Sequence, residues 1–170
     1  MKSQKIWLNL IRVILAIMLV FWMIIIFCYS AASGSESGQV SHGVTETIID
    51  ITYPSFPTLP IEKQESIFAF MHTFIRKSAH FINFFILGIL SYSFILTFKL
   101  KKLLVFIISS SFCLIYAISD ELHQLFVPNR GAQIKDVLID FSGALIGILL
   151  EILIIFIYLK IKNKSQKITQ

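Results

Sequence analysis

The chain has 170 residues, 56% of them hydrophobic and only 15% charged, with a formal net charge of +5. That length fits one domain, and so apolar a composition excludes an ordinary water-soluble one. Two cysteines, Cys28 and Cys113, fall at different expected depths, which excludes a disulfide framework and leaves both as packing residues.

Apolar stretches at residues 6–28, 79–98, 103–119 and 137–159 approach the roughly 20 residues a helix needs to cross a hydrocarbon core about 30 Å thick. The first follows Lys2 and Lys5 and precedes the small residues Ser30, Ala31 and Ala32, as a secretory signal would. Its apolar run exceeds the roughly 7–15 residues of a signal core, so an uncleaved anchor is expected.

Residues 29–78 form the one long extramembrane segment. Ser33 and Glu36 have capping-box spacing. Val40, Val44 and Ile48 then recur at helical intervals, which predicts an amphipathic helix on the membrane surface with Ser37, Ser41 and Thr45 on its polar face. Pro54, Pro57 and Pro60 must break that helix. A second helix is expected to restart near Ile61 or Glu62, with Ile67, Phe68, Met71, Phe74 and Ile75 as its apolar face, and to run unbroken into the second span.

The third span is the shortest, and its helix is expected to continue through Asp120 to Phe126. In the fourth, Gly143 and Gly147 have the small-xxx-small spacing that lets another helix approach closely; Gly88, Ser91 and Ser109 to Ser111 offer the same on the second and third. The expected fold covers residues 1–170 as a single all-α integral membrane domain. It is a four-transmembrane-helix bundle with a long outer loop carrying short amphipathic helices.

Lys and Arg accumulate on the cytoplasmic side of short loops. Ten of the fifteen fall at the two ends of the chain and in the loop after span two, and five fall on the other side. Both termini are therefore expected in the cytoplasm. All four histidines and nine of the ten acids then lie outside, so the high pI reflects membrane orientation and gives no support to nucleic-acid binding.

Three segments bring ionisable groups to the outer ends of different spans. Arg76 and His80, i and i+4 with Lys77 between them, open span two. Asp120, Glu121, His123 and Gln124 close span three, and Arg130, Lys135, Asp136 and Asp140 lead into span four. Asp140 enters the hydrocarbon zone and Asp120 borders it, at a cost of about 2.5–3.5 kcal/mol each on insertion scales, so both should face the bundle.

Two readings follow: interhelical ion pairs that fix packing, or a binding or catalytic pocket. In the pocket reading His80, Asp120, Glu121 and His123 are the acid–base candidates. Arg76, Lys77, Gln124, Arg130, Asp136 and Asp140 are the binding candidates, the arginines and lysine being suited to phosphate. Asp136 also reads as a helix N-cap, and His42 and His72 as surface residues. Metal-ligand types are present, but without His-Glu-x-x-His or Cys-x-x-Cys spacing no metal and no cofactor is expected. Neither a phosphate-binding Gly-rich loop nor a Gly-x-Ser-x-Gly elbow occurs. In the inner half, Arg12 and Glu151 lie at similar depths and are expected to pair.

Tyr29-Ser30, the run Arg76 to Phe81, Leu87-Gly88, the run Tyr116 to Pro128, Arg130, and Lys135 to Asp140 with Gly143 and Gly147 together resemble the VanZ-like family of bacterial membrane proteins. The likeness covers essentially the whole chain, in order. The chain departs from the family pattern at Asn83, where an acid is frequent, at Asn129, where glycine is, and at Ala31-Ala32. The resemblance implies a bacterial cell-membrane location and a link to reduced susceptibility to glycopeptides, especially teicoplanin, and it implies no particular reaction. The partner expected is a membrane lipid, possible forms being a lipid-linked peptidoglycan precursor or a simple lipid head group. The alternative is a non-catalytic adaptor that docks another envelope protein; a transporter is disfavoured by four spans without duplication.

The topology has a direct test. Single cysteines at Lys101 or Lys164 in a cysteine-free background are expected to resist a membrane-impermeant thiol reagent in intact cells, and labelling there would reverse the orientation.

Overall fold

The computed structural model describes residues 2–32, 34–128 and 130–168. Five helices follow one another: α1 (Lys2–Ala31), α2 (Gly34–Thr52), α3 (Ile61–Leu96), α4 (Lys102–Gln124) and α5 (Ile134–Ile168), with a 3₁₀ turn at Phe56–Thr58. Among the described residues there is no strand. Four of the helices, all but α2, are long and apolar enough to cross a membrane. Large apolar side chains such as Trp7, Ile17, Phe21, Ile115, Leu138 and Phe156 remain exposed on them, as a lipid-facing surface requires.

Where the prolines cluster, Phe56 N–H bonds the Tyr53 carbonyl at 2.9 Å and Thr58 N–H bonds the Ser55 carbonyl at 3.1 Å, closing the turn that ends α2. α3 then restarts at Ile61 as the sequence predicts and runs unbroken to Leu96. It packs against α2, where the Phe68 ring meets the His42 ring at 4.5 Å between centres.

The contact face of α2 differs from the sequence reading. Thr45 is fully buried and Ile49 nearly so, whereas Val44 is exposed. Thr45 can turn inwards because its hydroxyl donates to the Ser41 carbonyl at 2.7 Å, leaving no unsatisfied polar atom to penalise burial. Val44 is left on the outer face, and the helix packs on α3 rather than lying alone on the membrane. The proposed cap Ser33 lies outside the described residues.

The tightest seam runs between α3 and α5. A Cβ on Gly88 would collide with the Ala144 backbone, one on Gly143 with Phe81, and one on Gly147 with Phe85. These are the small-residue positions singled out in the sequence, and their missing side chains let the two backbones touch. Beside the seam a core of Leu19, Ile26, Phe84, Leu87, Leu90, Cys113, Ala117 and Ala144 joins α1, α3, α4 and α5. Both cysteines are free thiols.

Arg12 and Glu151 do not pair. The Arg12 guanidinium donates to the Thr97 carbonyl at 2.8 Å and hydroxyl at 3.3 Å and lies over the Phe98 ring at 4.7 Å. Thr97 ends α3, where unsatisfied carbonyls and the negative end of the helix dipole attract a cation, and a planar guanidinium fits both oxygen and ring. Glu151 instead accepts from the Ser93 hydroxyl at 2.6 Å across the α3–α5 seam.

The glycine seam yields a stability prediction. Gly147→Val is expected to lower stability by at least the roughly 1–3 kcal/mol typical of overpacking, because the obstructing atoms are backbone. Gly43→Ala on α2, with nothing within 4 Å of the added methyl, is expected to be neutral or slightly stabilising. Thermal unfolding in detergent compares the two.

Candidate functional site

At the end of the bundle opposite both termini, four helices contribute polar groups to one region. Asp120 on α4 accepts two side-chain hydrogen bonds there. Its Oδ2 accepts from the Ser30 hydroxyl of α1 at 2.7 Å and from Gln124 Nε2 one turn further along α4 at 3.1 Å. Gln124 Nε2 also reaches Ser30 Oγ at 3.2 Å, which closes a three-membered network. Ser30 is 1% exposed, Asp120 5% and Gln124 6%, so the network gives a carboxyl group shielded from solvent its hydrogen-bond partners.

Arg130 anchors the connection between α4 and α5 to the end of α1. Its guanidinium donates to the Ser30 carbonyl at 3.2 Å and the Tyr29 carbonyl at 3.3 Å, groups that the end of a helix leaves without intrahelical partners. Partial burial, and after it the like charge of Arg76, lowers the Arg130 pKa, opposed by Asp120 and Glu121. In the same connection the Gln133 N–H donates to Glu121 Oε2 at 3.2 Å, so Glu121 shapes the loop.

Between α3 and α5 the pairing follows the glycine seam. Lys77 Nζ lies 2.9 Å from Asp136 Oδ1, and one turn deeper His80 Nδ1 lies 3.6 Å from Asp140 Oδ1. Helix α5 begins at Ile134, so Asp136 sits within its first turn and is not its N-cap. The Asp136 N–H bonds the Gln133 carbonyl at 2.9 Å, while the carboxylate stays near the positive end of the helix dipole and meets Lys77.

These groups surround a cavity of about 200 Å³. Arg76, Lys77, His80, Gln124, Arg130, Asp136 and Asp140 line it, with Gly131, Gln133 and Ile139. Of the ten candidates read from the sequence, seven therefore meet at one cavity. Asp120 stands behind it, bonded to Gln124, and Glu121 supports the loop. His123 turns away, stacking on Phe27 of α1 at 4.6 Å between ring centres, with its Nε2 buried and without a hydrogen bond.

The sequence reading assigned no role to Ser30 or to the loop residues Gly131 and Gln133. Ser30 lies 90 residues from Asp120, and no helical spacing could join them. The signal for Ser30 was the Tyr29-Ser30 pair within the family-like pattern, which did not include Gly131 or Gln133.

The VanZ/LLP1 family model matches residues 15–157, which take in the cavity, the Asp120 network and the glycine seam. The chain belongs to that family. No curated protein and no solved structure matches the chain.

The Asp120 network can be tested by removing one hydroxyl. Ser30→Ala is expected to destabilise the chain by about 1–3 kcal/mol, since it takes a hydrogen bond from a buried carboxylate. Thr52→Ala, which removes an exposed hydroxyl bonded within its own helix, is expected to change the unfolding temperature little.

Proposed function

We propose that this VanZ/LLP1 family member is a bacterial cell-membrane protein, termini in the cytoplasm, that binds the phosphate-bearing head group of a membrane lipid in the cavity on its outer face. The observation that carries this reading is the imbalance among the cavity's charges. Among the described residues neither Arg76 nor Arg130 has a carboxylate within ion-pair distance, Arg130 donating to backbone carbonyls with further N–H groups left over, and of the cavity's three lysine and arginine side chains only Lys77 has an acidic partner. Two guanidinium groups that share a cavity and repel each other favour an anion between them, and planar donor forks suit phosphate oxygens.

Size narrows the ligand. A cavity of about 200 Å³ lies below the roughly 300–1,000 Å³ of sites that enclose drug-sized ligands, so it suits a phosphate and its immediate substituents better than a whole disaccharide-peptide. A lipid-linked peptidoglycan precursor would enter by its lipid-proximal phosphate. Such contact on the outer face would also connect the protein with teicoplanin susceptibility. His80 and Asp140 line the same cavity and have the chemistry to hold or pass a proton, so turnover of the bound head group is compatible with the site.

The purified chain in neutral detergent is expected to bind dioctanoyl phosphatidylglycerol saturably and to ignore dioctanoylglycerol, which has no phosphate. Arg76→Gln should weaken binding about tenfold or more, the worth of one charge-assisted hydrogen bond, without lowering the unfolding temperature. In cells the same substitution should raise teicoplanin susceptibility at unchanged membrane abundance. If binding ignores the phosphate, or if loss of phenotype tracks loss of protein, the cluster is structural and the adaptor reading stands.

A further inference from the structure

Behind the cationic rim, three helices bring three side chains of metal-ligating type together. His80 on α3, Asp120 on α4 and Asp140 on α5 each offer a ligand atom, and these atoms lie within 4.8 Å of one another. We propose that they form a binding site for one divalent first-row transition-metal cation of the Mn²⁺ or Zn²⁺ class, with its open positions facing the cavity.

Charge supplies the first reason. Asp120 is 5% exposed and Asp140 1%, and among the described residues neither has a lysine or arginine within ion-pair distance. Two buried carboxylates with a neutral imidazole carry a charge of about −2, which a divalent cation cancels. The second reason is an orphaned atom. Asp140 Oδ1 is buried and without a hydrogen bond, facing His80 Nδ1 at a distance too long for a direct N–H···O bond.

That distance suits two ligands of a common ion. With metal–ligand bonds of about 2.1 Å, neighbouring donor atoms around a tetrahedral centre stand about 3.4 Å apart. A pair at the 4.8 Å limit would have to draw in by about 1.4 Å, within reach of side-chain rotation. Asp120 is already held through Oδ2 by Ser30 and Gln124, the kind of outer support that orients a ligating carboxylate.

Chemistry narrows the ion. An imidazole with two carboxylates suits Zn²⁺ or Mn²⁺, whereas Ca²⁺ asks for about 6–8 oxygens. Three protein ligands leave coordination positions free, as in catalytic rather than closed structural sites. His80 and Asp140 line the cavity, so those positions open towards it. The site itself does not depend on the lipid reading; only the presentation of the cation to a phosphate does.

The alternative is a proton in place of the metal, an imidazolium held between the two carboxylates. The test uses the full chain in detergent, stripped with a chelator and free of added lipid. It is titrated with Zn²⁺ or Mn²⁺, and bound metal is counted by mass spectrometry after desalting, with Mn²⁺ also followed by electron paramagnetic resonance. The expected result is one ion per chain, a rise in unfolding temperature on loading, and retention cut at least tenfold in Asp140→Asn and His80→Asn but unchanged in Glu46→Gln on α2. Should Asp140→Asn fail to fold, His80→Asn decides, because the His80 side chain is 28% exposed and tolerates exchange. No ion retained by folded wild type at micromolar free metal, or equal retention by folded His80→Asn, overturns the proposal. Because no lipid is present, its failure would leave the head-group reading standing.

Discussion

The close approach of α3 and α5 sets the position of almost everything else. Gly88, Gly143 and Gly147 leave no room for a Cβ against the opposing backbone, so the two parallel helices have one workable register. Lys77 then meets Asp136, His80 meets Asp140 a turn deeper, and Ser93 meets Glu151 deeper still. A shift of one residue along this seam would break all three pairs and drive side-chain carbon into backbone. Packing of small residues thus fixes electrostatics, and the cavity is a consequence of that register.

α1 and α4 complete the site in a different way. α1 exposes much of its apolar surface, yet its last turn supplies the Ser30 hydroxyl to Asp120 and two carbonyls to Arg130. Polar contacts therefore locate that end of α1 where packing is thin, while Arg12 locates its other half by capping α3. In a hydrocarbon surround each such contact has no water to compete with it, although the net gain per bond stays modest.

Much of this was legible in the sequence because it is local or periodic. Span lengths, the proline break after α2, the restart at Ile61 and the small residues of the seam follow from composition and spacing. The i, i+4 pairs Arg76–His80 and Asp136–Asp140 do share the cavity face. What the sequence could not carry was the partner chosen by each polar group over long separation. Arg12 and Glu151 matched in depth, but depth does not fix rotation about a helix axis, and each found a nearer oxygen or hydroxyl on α3. Thr45 was read as polar and outward because a hydrophobicity pattern cannot see a hydroxyl satisfied by its own helix. His123 shares a segment with Asp120, but it turns to Phe27.

The head-group proposal rests on the cationic rim of the cavity, which should take an anion. The most direct measurement is native mass spectrometry of the wild-type chain released from nanodiscs that mix phosphatidylglycerol with a neutral, phosphate-free glycolipid. The account predicts one phosphatidylglycerol retained per chain at collision energies that remove every glycolipid. Equal retention of the two lipids, or a chain that emerges bare under conditions that keep it folded, would contradict it.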